Sequence, residues 1–279
     1  MKKIVNLFFV VSALSLVGCN KTGSSDKNVI TVAASEIPHA EILNNAVKPI
    51  LEKEGYTLKV TILDWTLQND AVYNGEYDAN YFQHRPYLQQ YDSGNTTYSA
   101  DYTYTKVFPA ATVHFEPLRI YPGKKGASEF QANKTTATYE ICSDVSNEIR
   151  ALDLLKEAGV ISGYETDAKG NPINLPSNIH PIDENLLVSS IKDYDYAVLP
   201  TNSALTGKLT ADTTLPVESN TVKEKNANVL AANVKNYKND NTYKTKIDVL
   251  VDALLSKDVA DFITKNYLGV ISVAQEDLR

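Results

Sequence analysis

Short apolar runs suited to buried strands alternate with stretches of helical periodicity, and they do so twice along the 279-residue chain. Residues 28–34 carry Val29, Ile30, Val32 and Ala33, the continuous apolar pattern of a strand covered on both faces. The stripe Ile42, Val47, Ile50 and Leu51 predicts a helix that Gly55 stops. Leu58, Val60 and Ile62 predict the next strand; a helix over 70–77 and a short strand over 79–82 complete the opening set. Residues 105–121 are long and β-rich, which suits a passage from one domain to another. A second set follows, with strands over 136–142, 179–182 and 196–199 and helices over 146–157 and 184–192, separated by a turn-rich stretch at 163–176. A strand over 228–234 precedes a final helical pattern carrying Ile247, Leu250, Val251, Leu254, Val259 and Ile263, broken near 256–258. Strands that alternate with helices imply crossover connections, hence mostly parallel sheets with helices on their faces. Two such sets imply two α/β lobes.

The N-terminus sets the address of this body. Lys2 and Lys3 precede an apolar run from Ile4 to Leu16, too short for the ~20 residues that span a bilayer. The run ends Leu16-Val17-Gly18-Cys19, which resembles the cleavage box of bacterial lipoproteins, in which the cysteine sulfur receives a diacylglycerol. Residues 1–18 are therefore expected to be a signal peptide, and 19–27 a lipidated cysteine with a Gly/Ser-rich tether. Cys142 is then the one thiol left, so an intramolecular disulfide is excluded. Removal of Lys2 and Lys3 makes the formal charge of −7 more negative by two, and with a pI near 5.2 no basic stripe exists for nucleic acid. An apolar share of 43% is ample for two cores.

The run Asp78-Ala79-Asn80-Tyr81-Phe82-Gln83-His84-Arg85-Pro86-Tyr87-Leu88 holds the densest chemistry. Pro86 fits the first turn of a helix, so Phe82, His84 and Tyr87 gather at a strand-to-helix junction. Ligands in open α/β sheets sit at such carboxyl ends. This run closely resembles the signature of the NlpA-type methionine-binding lipoproteins, the substrate-binding components of methionine ABC importers. The resemblance continues through Pro38-His39-Ala40-Glu41-Ile42-Leu43, Val47-Lys48-Pro49, Val113-His114-Phe115-Glu116-Pro117-Leu118, Asp144-Val145-Ser146-Asn147-Glu148-Ile149-Arg150-Ala151-Leu152, and Tyr196-Ala197-Val198 with Asn202 and Asn228.

What the resemblance implies is a two-lobe periplasmic-binding-protein fold of type II, closing on a free amino acid by hinge motion. Residues 28–112 with 223–279 would form one lobe and 113–222 the other. Trp65, Phe82 and Tyr87 would box the thioether, with Trp65 where the family usually has tyrosine, and His84 would help close the pocket. Arg150 would clamp the ligand carboxylate through its planar fork. Asn202, expected in a loop after Pro200-Thr201, and Asn228 would bond the ligand's amino and carboxylate groups. The sequence departs from the family pattern at Arg119, Cys142, Ser143, Val145, Ile149 and Ser203.

The function so implied is capture of L-methionine or a close derivative on the outer face of the cell membrane, by a lipid-anchored monomer that hands it to an ABC permease and its ATPase. The alternative ligands are another apolar amino acid or a methionine-containing dipeptide. A metal-binding lipoprotein, with His39, Glu41, His114 and Glu116 as a cage across the lobes, is a further alternative. No catalytic residue, metal site or cofactor is expected, because no nucleophile, phosphate loop or zinc-protease motif is present.

Overall fold

The computed structural model describes residues 27–274. The expected signal peptide, Cys19 and nearly all of the tether lie outside the described residues. The strands, in chain order, are β1 Val29–Ala34, β2 Thr57–Ile62, β3 Ala79–His84, β4 Val107–Phe115, β5 Arg119–Pro122, β6 Tyr139–Cys142, β7 Glu165–Thr166, β8 Pro172–Ile173, β9 Ile179–Ile182, β10 Tyr196–Leu199, β11 Ala227–Asn233 and β12 Ser272–Val273. They build a six-stranded sheet in the order β12-β4-β11-β3-β1-β2 and a four-stranded sheet in the order β5-β10-β6-β9; β7 and β8 form a separate hairpin in the turn-rich stretch.

The α/β class stands, but the pairing of the larger sheet is not mostly parallel. β1 runs parallel to β2 and β3, whereas β3–β11, β11–β4 and β4–β12 are antiparallel. The reason is topological: β4 and β11 enter and leave through the crossings to the other sheet, without a crossover helix between neighbours. In the smaller sheet β10–β6 and β6–β9 are parallel and only β5 is reversed. β4 belongs to the six-stranded sheet as far as Phe115. The expected division between 112 and 113 therefore falls inside a strand.

Each sheet has its own core. Ile30, Val32 and Leu230 are fully buried with Ile247, Leu250, Leu254, Val259 and Ile263 from the two C-terminal helices, Asn241–Leu254 and Lys257–Asn266. The expected break falls between them, where Ser256 caps the second helix by accepting from the Val259 N–H. A second cluster joins Tyr139, Ile141, Tyr196 and Val198 to Leu152 and Leu155 of helix Val145–Glu157. The two crossings between the sheets are bonded to each other. Leu118 N donates to Glu218 Oε2 at 2.7 Å, and Glu218 N donates to Leu118 O at 2.9 Å.

Candidate functional site

A cavity, partly open to solvent, lies between the two sheets. All seven residues expected from the sequence line it: Trp65, Phe82, His84, Tyr87, Arg150, Asn202 and Asn228. Ser35, Gln83, Glu116, Asn147, Glu184 and Pro200 complete the lining.

One wall is aromatic. Trp65 opens helix Trp65–Tyr73, which begins five residues before the expected start because Asp64 caps it, accepting from Thr66 N at 2.9 Å. Phe82 and His84 end β3, and Tyr87 sits in the first turn of helix Arg85–Ser93 beside Pro86. Tyr87 is the hub, with ring centroids 5.5 Å from Trp65, 5.8 Å from Phe82 and 6.5 Å from His84, all edge-to-face. His84 Nδ1 accepts from the Tyr87 N–H at 3.3 Å, so Nε2 carries the hydrogen and donates to Asn147 Oδ1 at 2.9 Å. Burial, aided by the nearby Arg150 guanidinium, pushes the His84 pKa down to about 4 and keeps the ring neutral.

The opposite wall is polar. Arg150 and Asn147 lie three apart on helix Val145–Glu157, hence on one face, and Arg150 Nη1 donates to Asn147 Oδ1 at 3.0 Å. Arg150 makes no surface pair with Asp153 or Glu157. Its side chain is buried, and its fork already holds Glu218, Nε to Oε1 at 3.0 Å and Nη2 to Oε2 at 2.6 Å, while Nη2 also reaches Glu116 O at 3.0 Å. A bidentate grip on a ligand carboxylate is thus taken, and one Nη1 hydrogen remains for it beside Asn147 Nδ2. Asn202 is not in a loop. It lies in the first turn of helix Thr201–Thr206, because Pro200 has the extended backbone that precedes a helix and Thr201 Oγ1 anchors the turn by donating to Pro117 O at 2.7 Å.

Behind the cavity runs a buried chain of hydrogen bonds. Tyr81 bonds His114 Nδ1, His114 Nε2 donates to Glu116 Oε1 at 2.6 Å, and Glu116 Oε2 accepts from Asn202 N at 2.9 Å. His39 Nε2 lies 3.0 Å from Asn228 Oδ1 and 3.3 Å from Glu116 Oε1. Burial opposes charge on Glu116, yet His39, His114 and the Asn202 N–H together hold its carboxyl below the usual range; burial pushes His39 down to about 4. The four-residue His/Glu cage does not assemble, since Glu41 points elsewhere and accepts from Tyr267. The atoms of His39, His114 and Glu116 do converge, with His114 Nε2 donating to Glu116 and His39 Nε2 paired with Asn228 Oδ1.

Glu184 is the other acid in the lining. It opens helix Glu184–Ser190, and its Oε1 accepts from Ser203 Oγ at 3.0 Å and Asn202 Nδ2 at 3.4 Å. Two departures from the family pattern meet there, since the Cys142 thiol also lies 3.8 Å from Glu184 Oε2. Burial, with Asp144 close by, pushes the Glu184 carboxyl up to about 7.

The family model for NlpA lipoproteins matches residues 30–274. The chain belongs to the NlpA lipoprotein family. Among NlpA relatives it is 34% identical to the methionine-binding lipoprotein MetQ of Bacillus subtilis, over 97% of both chains. It is 28% identical to the D-methionine-binding lipoprotein MetQ of Escherichia coli, over 72% of each. A nutrient binding protein from Burkholderia cenocepacia, solved bound to methionine, superposes with a TM-score of 0.71 at 29% identity, covering 88% of this chain and 99% of that one. As an NlpA protein the chain has the two-lobe type II binding-protein fold.

Four residues at or behind this cavity, Asn147, Glu116, Glu184 and Glu218, are missing from the ligand-binding set that the sequence implies. Asn147 was legible, lying one helical turn before Arg150. Glu116 stood in a quoted motif, but its role as an anchor for Asn202 depends on a contact across 86 residues. Glu184 and Glu218 sit in stretches whose local pattern marks only a helix start and a connection.

Proposed function

We propose that the protein is an extracytoplasmic substrate-binding lipoprotein that captures L-methionine for an ABC importer by hinge closure and performs no chemistry on it. Diacylglycerol on Cys19 would hold it on the outer face of the membrane. Among the described residues no helix is long and apolar enough to cross one. The part built on the six-stranded sheet would form one lobe and that on the four-stranded sheet the other, with the bonded crossings at Leu118 and Glu218 as the hinge.

The observation that carries this reading is the pairing of walls in one cavity: three rings that fit a thioether, facing side-chain N–H groups that fit a carboxylate. Trp65, Phe82 and Tyr87 would enclose the sulfur, each contact contributing ~0.3–1.5 kcal/mol. The Arg150 Nη1 hydrogen and the amides of Asn147 and Asn228 would take the carboxylate, and Asn202 Oδ1 the amino group. His84, held neutral, would stiffen Asn147 in place.

Denaturing the purified protein and weighing the released small molecule tests this directly, followed by calorimetry with L-methionine, D-methionine, leucine and a methionine dipeptide. The expected result is L-methionine, released near one per chain or bound in the titration more tightly than the others. Tighter binding of leucine or the dipeptide would move the ligand within the same fold, and binding of none would overturn the reading.

A further inference from the structure

Glu184 is the lining acid for which the protein supplies no cation. Its contacts are three neutral donors: Ser203 Oγ, Asn202 Nδ2 at the long distance of 3.4 Å, and the Cys142 thiol at 3.8 Å. Arg150, the cation among the lining residues, is spent on Glu218. Glu116 has its hydrogen bonds from His114 Nε2 at 2.6 Å and the Asn202 N–H at 2.9 Å. Asp144 caps its own helix, accepting from Ser146 Oγ at 2.7 Å and Asn147 N at 3.2 Å. With the Arg150–Glu218 pair self-compensated, the charge left over in the cavity wall is negative. A half-buried carboxylate without a counter-charge is costly to the ligand-free protein and favourable once a cation arrives.

We propose that Glu184 is the acceptor for the ligand's ammonium group and makes a protonated amine the dominant recognition element of this cavity. The proposal rests on the reading of the cavity as an amino-acid site. An ammonium has three N–H donors; Glu184 Oε2 and Asn202 Oδ1, which has no partner among the described residues, offer two acceptors from bonded residues of one lining. Glu184 also lines the open groove beside the cavity, shared with Ser35, Trp65 and Asn202, so an incoming amine meets it at the entrance.

A pH signature follows. The groups that face Glu184 are Cys142 and Asp144 from the end of β6, Asn202 and Ser203 from helix Thr201–Thr206, Tyr87 from helix Arg85–Ser93, and Glu116 from the crossing. None is a cation, and the empty site holds the carboxyl near 7. Ammonium binding favours the ionised form, so affinity weakens as pH falls below 7.

Calorimetry on the wild-type protein and Glu184→Gln, with L-methionine and its des-amino analogue 4-(methylthio)butanoate at pH 8 and pH 5.5, decides the matter. Glu184→Gln should weaken L-methionine about 10- to 100-fold at pH 8, the scale of one hydrogen bond to a charged group. It should leave the des-amino acid within about twofold, and the wild-type loss of affinity at pH 5.5 should vanish in the variant. For the wild type, L-methioninamide should bind more tightly than the des-amino acid. Equal losses for both ligands, no loss for either, or the reverse order of the two analogues would overturn the role of Glu184 while leaving the methionine site intact. A wild-type protein that binds no amine-bearing ligand would overturn the reading of the cavity itself.

Discussion

The two walls of the cavity are made of the same kind of material, side chains at strand ends and first helical turns, but they are held in opposite ways. The aromatic wall stands on van der Waals contact among Trp65, Phe82 and Tyr87, two of which are five residues apart in sequence. The polar wall stands on charge: Arg150 is fixed by Glu218 and by Glu116 O, one group from each crossing. A ring can therefore be removed without stranding a charge, whereas the guanidinium cannot. Recognition is separable from stability on one wall and fused with it on the other.

The sharpest way to break that comparison is Arg150→Ala. It strips a buried carboxylate, Glu218, of its partner, so about 3–5 kcal/mol of folding stability should be lost along with ligand affinity. Urea unfolding of the ligand-free protein reads this directly. A variant that loses affinity while its unfolding midpoint stays within error would show the pair to be dispensable for the fold, and the distinction between the walls would fall.

Glu116→Gln tests the layer that supports both walls. Glu116 accepts from His114 Nε2 on one side and from Asn202 N on the other, with His39 Nε2 3.3 Å away. An amide replaces one acceptor by a donor that must face an N–H, at a cost of ~1.5–3 kcal/mol. Because the Asn202 turn would be released, methionine affinity should fall too, with both effects visible in one thermal-shift series with and without ligand. Trp65→Ala should do less. The side chain is half-buried at a helix start, so the expected effect is a loss of up to ~1.5 kcal/mol in binding, with an unfolding midpoint close to wild type. A sharp drop in that midpoint with affinity intact would place Trp65 in the core.

The same contrast decides what the sequence could disclose. β1 and the C-terminal helices are legible because an unbroken apolar run and a 3.6-residue stripe are local signals. So is the ring cluster, since Phe82, His84 and Tyr87 share one junction. The antiparallel placement of β11 between β3 and β4 is not, because β11 arrives after the return crossing and any register with β3 satisfies its uniformly buried pattern. Helix Trp65–Tyr73 starts ahead of its expected range because the Asp64 cap, accepting from Thr66 N, outweighs a weak apolar stripe. Glu218 was invisible for a different reason: its partner lies 68 residues away, and nothing in the connecting stretch distinguishes a buried acid from a solvated one. Electrostatic partners across a hinge are a property of the closed chain, whereas ring clusters at a junction are a property of a short segment.

The effect at Glu184 is the one whose sign is least intuitive. The folded carboxyl of Glu184 is raised to about 7, against an ordinary value of 4.5. Between those two values the folded protein holds a proton that the unfolded chain has released, so the stability associated with Glu184 is complete below pH 4.5 and is lost as pH rises through 7. Glutamine does not titrate. Ligand-free Glu184→Gln should therefore match the wild type near pH 4.5 and become the more stable of the two by pH 8, measured as the difference in urea midpoint across that range. Saturation with L-methionine should close the gap at pH 8, since the ammonium compensates the charge that the empty site leaves exposed to burial. A gap that is constant with pH, or a variant less stable at pH 8, would mean that Ser203, Asn202 and Cys142 already satisfy the carboxylate, and that the polar wall carries no charge held in reserve for the ligand.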